Sequence, residues 1–301
     1  MLFKTNILAL VTSNENIHKL IMWDDNQSKA LCEFKFNYKI LNVKLSKDKI
    51  IVICRTQIFI FNLNNFKEID KIETGDNPYG AVALSAKEDQ ALLAYPDKED
   101  EKKAEKGLVK IKNFEKSKDL NIKAHQNKIA YLLLSHDNRV LASASEKGTL
   151  IRIFNTENGN LLQELRRGKD KVDIKYICFE LNLKYIAASS NKGTIHIWSL
   201  SNTLKKLNNK ESKESECKEN NLIENQSSNF KWLPNYLGGL GAQFFNGEWS
   251  FDQIRNIEPK SIFCFGNENT IIIVSSNGKY YNFQIEEKSG DKKTWKEYNL
   301  L

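Results

Sequence analysis

The chain lacks every short signature that would place catalytic chemistry in it. Its 301 residues contain no nucleophile elbow, no phosphate-cradling GxxxxGK, no HExxH and no convergent carboxylate pair, so it is read as not an enzyme. Paired cysteine chemistry is missing as well. Cys32, Cys54, Cys178, Cys217 and Cys264 are scattered and odd in number. None forms a CxxC or joins histidine at zinc spacing, so no disulfide framework, metal site or cofactor is expected. Most sit in apolar strand-like runs and are read as reduced core residues of a cytoplasmic protein. No run approaches the ~20 apolar residues of a membrane span. The opening MLFKTNILALVTSNENIHKL has neither the basic region nor the cleavage site of a signal peptide. Any membrane contact is therefore expected to be peripheral.

What is present describes a folded domain. Hydrophobic residues make up 41% and charged residues 28% of the chain, enough to bury a large core. Lys and Arg number 45 against 38 Asp and Glu, a formal charge of +7. That excess favours an anionic partner: nucleic acid, a phosphorylated ligand or an acidic membrane surface. The aromatic residues follow strand periodicity and form no exposed stacking platform, so nucleic acid is not expected.

Nothing from 1 to 200 has the length and 3.6-residue period of a good helix, and short apolar runs alternate with turn residues. Strands are predicted at 7–12, 19–25, 30–36, 40–46, 49–55, 57–63 and 66–73, continuing through AVALSA, ALLAYPD, LVKIKNF and KDLNIKAH to residue 125. Four strands per ~40 residues is the period of a propeller blade. An internal repeat supports this: SEKGT at Ser145 realigns with SNKGT at Ser190, with the Lys-Gly pair at a hairpin between a blade's second and third strands. The fold class is all-β, a single propeller over 1–301 with about six legible blades, the first incomplete.

Two stretches break the rhythm. EDEKKAEKG (99–107) is a charged, solvated connection. Residues 201–250 form a connection far longer than compact domains usually tolerate. Its first half, 201–230, is Lys, Glu, Asn and Ser with little else and is predicted to be disordered. Residues 232–251, WLPNYLGGLGAQFFNGEWSF, are aromatic, leucine-rich and glycine-rich. Trp249 and Phe251 are read as the next strand packing into the core. Strands resume at 251–256, 261–266, 270–276, 279–286 and 294–301.

The stretch LLQELRRG (161–168) ends an apolar strand with Arg166 and Arg167 side by side. Neighbouring strand residues point to opposite faces, so one anion cannot easily engage both. Either the two are idle solvated charges or they serve two pockets.

A colinear series of motifs now carries a resemblance: KLIMWDD (19–25), NPYG (77–80), LLAYP (92–96), AH (124–125), ASEKGTLIRIF (144–154), LLQELRRG, SSNKGTIHIW (189–198), LPNY (233–236), EWSF (248–251), FCFG (263–266) and KYYNF (279–283). The chain resembles the PROPPINs, the WIPI-type family of seven-bladed phosphoinositide-binding WD-repeat propellers used in autophagy, in its branch with LRRG where others have FRRG. The resemblance places a whole first blade before MLFKTNILALV. About sixty residues, judged from the ~40–45-residue propeller period, are thus expected upstream, unless the chain is a six-bladed variant.

Phosphate monoesters near −2 charge call for bidentate guanidinium and several hydroxyl or imidazole donors, and the two repeats carry this set twice. The resemblance implies a first site of Arg166, Ser145, Thr149, Arg152 and His125, and a second of Arg167, Ser190, Thr194 and His196. Taken alone, Ser145 and Ser190 are ordinary hairpin residues, and Thr149 and Thr194 are good strand formers. His196 alternates with Ile195 and Ile197 and so points away from the apolar face; His125 fits equally a phosphate contact or the structural His of WD-type repeats. Tyr236, Leu237, Leu240, Phe244 and Phe245, within 232–247, are expected to insert shallowly into the headgroup boundary.

The expected ligands are phosphatidylinositol 3-phosphate and phosphatidylinositol 3,5-bisphosphate. Family resemblance adds autophagy proteins as partners, among them a lipid-transfer protein. It places the protein on preautophagosomal, endosomal or vacuolar membranes. The competing reading is a WD-repeat protein-interaction scaffold without lipid affinity.

Overall fold

The computed structural model describes residues 5–14, 17–85, 87, 91–98, 106–116, 119–208, 247–267, 269–285 and 295–299. They form two compact units, Met1–Asn138 and Arg139–Leu301. In the first, β1 (Ile7–Asn14), β2 (Ile17–Asp24) and β3 (Lys29–Phe36) make a three-stranded sheet. Four-stranded sheets follow: β4 (Asn42–Leu45), β5 (Lys49–Ile53), β6 (Gln57–Asn62) and β7 (Glu68–Glu73), then β8 (Ala83–Leu84), β9 (Leu92–Pro96), β10 (Leu108–Asn113) and β11 (Leu120–Lys123). β12 (Ile129–Leu134) ends the unit. All these pairings are antiparallel between neighbours in sequence.

The second unit begins with β13 (Val140–Ser145), β14 (Leu150–Asn155) and β15 (Leu161–Arg166). β16 (Ile174–Phe179), β17 (Tyr185–Ser190) and β18 (Ile195–Ser199) come next, then helix α1 (Ser201–Asn208), β19 (Glu248–Trp249) and β20 (Asp252–Ile254). β20 completes the β16–β17–β18 sheet, while β19 joins the edge of β15 in parallel. β21 (Ser261–Phe265), β22 (Thr270–Ser275), β23 (Lys279–Gln284) and β24 (Trp295–Asn299) form the last sheet. The incomplete first sheet and the four-strand period match the sequence reading.

The two-residue side-chain period explains how the sheets stack. On β5, Ile50 and Val52 pack with Leu20, Met22 and Phe36 of the preceding sheet. Ile51 and Ile53 point the other way and pack with Val82, Leu93 and Tyr95 of the next. A strand buried on both faces reads as a continuous apolar run, as KIIVI does. In the second unit Tyr185, Ile195, Ile197 and Ile254 meet Phe263, Ile271, Ile273 and Phe283 in the same face-to-face manner.

Two expectations need correction. The segment read as disordered from residue 201 opens with α1. The Ser199 hydroxyl accepts from the Ser201 N–H at 3.2 Å, Lys205 and Lys206 complement the dipole in the last turn, and Thr203 is fully buried. The burial of Thr203 is a tertiary feature that composition does not display. Cys264 is exposed rather than core, because on β21 it alternates with buried Phe263. Among the described cysteines all thiols are free, and only Cys54 is fully buried. Among the described residues no helix is long and apolar enough to cross a membrane.

The repeated Lys-Gly pair forms the same turn twice. Gly148 (φ 61°) and Gly193 (φ 67°) adopt the left-handed conformation, donating to Ser145 O at 2.9 Å and Ser190 O at 3.2 Å. A Cβ on Gly148 would lie 2.1 Å from Val172 O, and one on Gly193 2.4 Å from Ile257 O, whereas Gly168 has nothing within 4 Å. Gly148→Ala and Gly193→Ala are therefore expected to cost about 2 kcal/mol or more each, and Gly168→Ala to stay within about 0.5 kcal/mol. Urea denaturation midpoints of the three variants decide this.

Candidate functional site

Register assembles the first group of residues. Ser143 lies opposite Arg152 across β13–β14, Arg152 opposite Glu164 across β14–β15, and Leu150 opposite Arg166. Paired residues share a face, as do residues two apart, so Ser145, Arg152 and Arg166 occupy one face with Glu164. Arg152 Nε donates to Glu164 Oε2 at 2.8 Å. Arg166 is only 5% exposed, and its buried Nε has no hydrogen-bond partner. Burial lowers the pKa of this guanidinium, opposed by the charge of Glu164. A buried charged donor left unpaired is costly, and an acceptor reaching Nε would offset that cost. Thr149 stands at the mouth of the hairpin, where its carbonyl accepts from Arg167 N at 2.9 Å.

Arg167 leaves β15 toward the other side. Its Nε donates to Gly148 O at 3.0 Å and its Nη2 to Asp170 O, which leaves further N–H donors of the guanidinium unused by these bonds. Burial lowers its pKa, opposed by Asp170. His196 is buried on β18, opposite Ala188 of β17 and Gln253 of β20. Its Nδ1 is hydrogen-bonded to Ser250 Oγ at 3.1 Å, Gln253 Nε2 donates to the same hydroxyl at 3.2 Å, and Arg255 Nη2 donates to Gln253 Oε1 at 3.1 Å. Burial pushes the His196 pKa down to about 4, and the charges of Arg167 and Arg255 push it the same way. Arg167 and Arg255 thus converge electrostatically on one imidazole. The same register carries Ser190 and Thr194 to the hairpin end of the His196 face; Ser190 Oγ accepts from Lys192 N at 3.4 Å.

Ser250, Gln253 and Arg255 were not among the residues singled out from sequence. A signal existed: Gln253 and Arg255 flank buried Ile254 in strand alternation. Phe251 packs against the core cluster as read, and Trp249 is half-buried opposite Arg166. His125 lies in the first unit after β11, buried, with its N–H donating to Gly107 O at 3.1 Å. Tyr236, Leu237, Leu240, Phe244 and Phe245 lie outside the described residues. Among the described residues no group of three or more His, Cys, Asp or Glu could hold a metal ion.

The first unit offers an internal control. Thr74 and Gly75 follow β7 as Arg167 and Gly168 follow β15, and Thr74 N donates to Thr56 O at 2.9 Å. There each cation is paired with a carboxylate. Arg55 Nε donates to Asp76 Oδ1 at 2.6 Å, Lys128 reaches the same carboxylate, and Lys98 pairs with Glu73. Hydrogen bonds from Arg55 and Lys128 hold the Asp76 pKa down at about 2.

Comparison with known proteins supplies a family. A family model described as PROPPIN matches residues 1–300. Autophagy-related protein 18e of Arabidopsis thaliana is 33% identical over 298 residues, covering 96% of this chain and 72% of that protein. Autophagy-related protein 18 of Schizosaccharomyces pombe is 28% identical over 313 residues, covering 96% and 83%. Among solved structures, Kluyveromyces lactis Hsv2 superimposes with a TM-score of 0.70 at 22% identity, over 99% of this chain and 83% of that one. A complex of KlAtg21 with the coiled coil of AgAtg16 gives 0.70 at 22% identity, over 100% and 84%. The fold is that of these β-propellers.

The depressed pKa of His196 has a thermodynamic consequence. The unfolded chain, with a histidine pKa of ~6.5, binds a proton that the folded state refuses until about pH 4. The neutral imidazole's contribution is therefore complete above pH ~6.5 and lost as pH falls through about 4, at most about 3 kcal/mol. His196→Asn is expected to flatten the decline in unfolding free energy across this window, measured by urea titration at successive pH values. An NMR titration placing the wild-type imidazole near its ordinary pKa would contradict the assignment.

Proposed function

The chain belongs to the PROPPIN family, an autophagy-related group of phosphoinositide-binding propeller scaffolds, and on that premise we propose that it binds phosphatidylinositol 3-phosphate through two pockets divided by β15. The observation that carries this reading is the placement of two adjacent arginines on opposite sides of one strand. Arg166 offers a buried, unpartnered Nε on the Ser145 face. Arg167 acts on His196 together with Arg255.

Each side suits a phosphate monoester. The guanidinium supplies planar donors and fixed charge, while Ser145 and Thr149 on one side, Ser190 and Thr194 on the other, supply neutral hydroxyls. An anion beside His196 would offset Arg167 and Arg255 and draw the imidazole toward its protonated form, adding a donor at the moment of binding. A second phosphate, as in phosphatidylinositol 3,5-bisphosphate, finds additional charge in Arg255. Arg152, already paired with Glu164, would support Arg166 through that shared carboxylate.

Two weak headgroup sites on one rigid body give avidity at a membrane bearing many headgroups. Tyr236, Leu237, Leu240, Phe244 and Phe245 would add shallow apolar burial. In this reading the protein is cytoplasmic and peripheral on preautophagosomal, endosomal or vacuolar membranes. There it would gather autophagy proteins, including a lipid-transfer partner.

Vesicle flotation with and without phosphatidylinositol 3-phosphate tests the reading. Arg166→Ala and Arg167→Ala are each expected to weaken binding by about 100-fold, leaving a one-site interaction, and the double change to abolish it. Equal flotation of wild type and the double variant, or flotation of neither, would sink the proposal in favour of a protein-interaction scaffold without lipid affinity.

A further inference from the structure

We propose that Gln163 and Glu248 form a clamp that positions Arg166, so that the strand following the long 209–246 connection is built into the first pocket. The consequence for membranes rests on the lipid reading above; the clamp itself does not.

Gln163 lies three residues before Arg166 on β15 and is 3% exposed. Pleating turns its side chain to the face opposite Arg166. Its carboxamide is saturated: Nε2 donates to Ser199 O at 3.0 Å and to Glu248 Oε2 at 2.7 Å. Oε1 accepts from Thr203 N at 3.2 Å and Thr203 Oγ1 at 2.7 Å. The other Glu248 oxygen accepts from Asn202 Nδ2 at 2.8 Å, and Lys206 Nζ donates to Leu162 O. One amide and one carboxylate therefore join the end of β18, the first turn of α1 and the start of β19 to a single strand.

The product of this cluster is the parallel pairing of β19 with β15, Leu165 opposite Glu248 and Arg166 opposite Trp249. It sets Gly247 directly against Arg166, where a Cβ would come within 3.1 Å of the arginine Cβ and 3.3 Å of Nε. Two residues with only this short ladder between them have little intrinsic tendency to stay paired. The buried polar network supplies the missing constraint, and such networks rigidify only when fully satisfied, as the Gln163 amide is. Glu248 is thus a positioning residue for the guanidinium, acting through the register of β19. The second pocket has its own anchorage, the β18–β20 pairing and the Ser250 bond to His196, and does not need Glu248.

This asymmetry makes the test selective. In an Arg167→Ala background, where only the first pocket remains, Glu248→Ala is expected to weaken binding to phosphatidylinositol 3-phosphate vesicles at least about tenfold, the scale of one charged hydrogen bond. In an Arg166→Ala background the same change should leave residual binding within about twofold. The conservative Glu248→Gln, whose Oε1 can accept from Gln163 Nε2 while its Nε2 donates to the turned carboxamide oxygen of Asn202, should keep first-pocket binding to within about threefold. Independently of lipid, Glu248→Ala should accelerate amide hydrogen exchange at 165–167 and 247–250 and leave β21–β23 unchanged. Equal weakening in both backgrounds, no weakening in the Arg167→Ala background, or unaltered exchange would each overturn the clamp. Should wild type fail to bind vesicles, the lipid reading falls and the exchange measurement alone decides.

Discussion

Successive side chains on a strand leave it on opposite faces, and at β15 that geometric necessity organises most of what lies around it. Glu164 and Arg166 share the face that carries Ser145 and Arg152, while Gln163 turns toward Ser199 and α1. A single six-residue strand thus borders two chemically different surroundings. On one side a guanidinium is buried with a donor unused; on the other a carboxamide has every donor and acceptor occupied. The contrast is informative because the polar group on either side had the same opportunity to find partners. Gln163 is satisfied within the fold, whereas Arg166 Nε keeps a donor that the fold does not use.

Net charge does not single out Arg166 and Arg167, and the comparison of corners explains why. Arg55, Lys128 and Lys98 contribute to the basic excess as fully as Arg166 and Arg167 do. Each of them meets a carboxylate, Asp76 for Arg55 and Lys128 together and Glu73 for Lys98. Around β15 the carboxylates fall short: Glu164 is already engaged by Arg152, and Arg167 meets the carbonyl rather than the carboxylate of Asp170. A functional cation is distinguished by the company it keeps, which sequence composition averages away.

What was legible in the sequence was whatever depends on local period. KIIVI announces a strand buried on both sides, the SEKGT and SNKGT turns announce their hairpins, and the alternation of a pleated strand by itself separates Arg166 from Arg167. What was illegible depends on partners distant in the chain. The Ser, Asn, Thr and Lys residues of α1 have the composition of an unstructured segment, and their partners Gln163, Leu162 and Glu248 are reached only through the fold. β19 is two residues long and pairs in parallel with a strand some eighty positions earlier, a relation that no window of sequence contains. Ser250, Gln253 and Arg255 were passed over for the same reason, since their significance lies in reaching His196.

The bond between Asn202 and Glu248 ties the start of α1, on one flank of the 209–246 segment, to β19 on the other. The closure entropy of a connection tethered on both flanks rises only with the logarithm of its length, about 0.6 kcal/mol per doubling. The domain around β15 is therefore nearly indifferent to how many residues are inserted there. Evolution can lengthen or shorten that segment at little entropic cost to the fold that carries it.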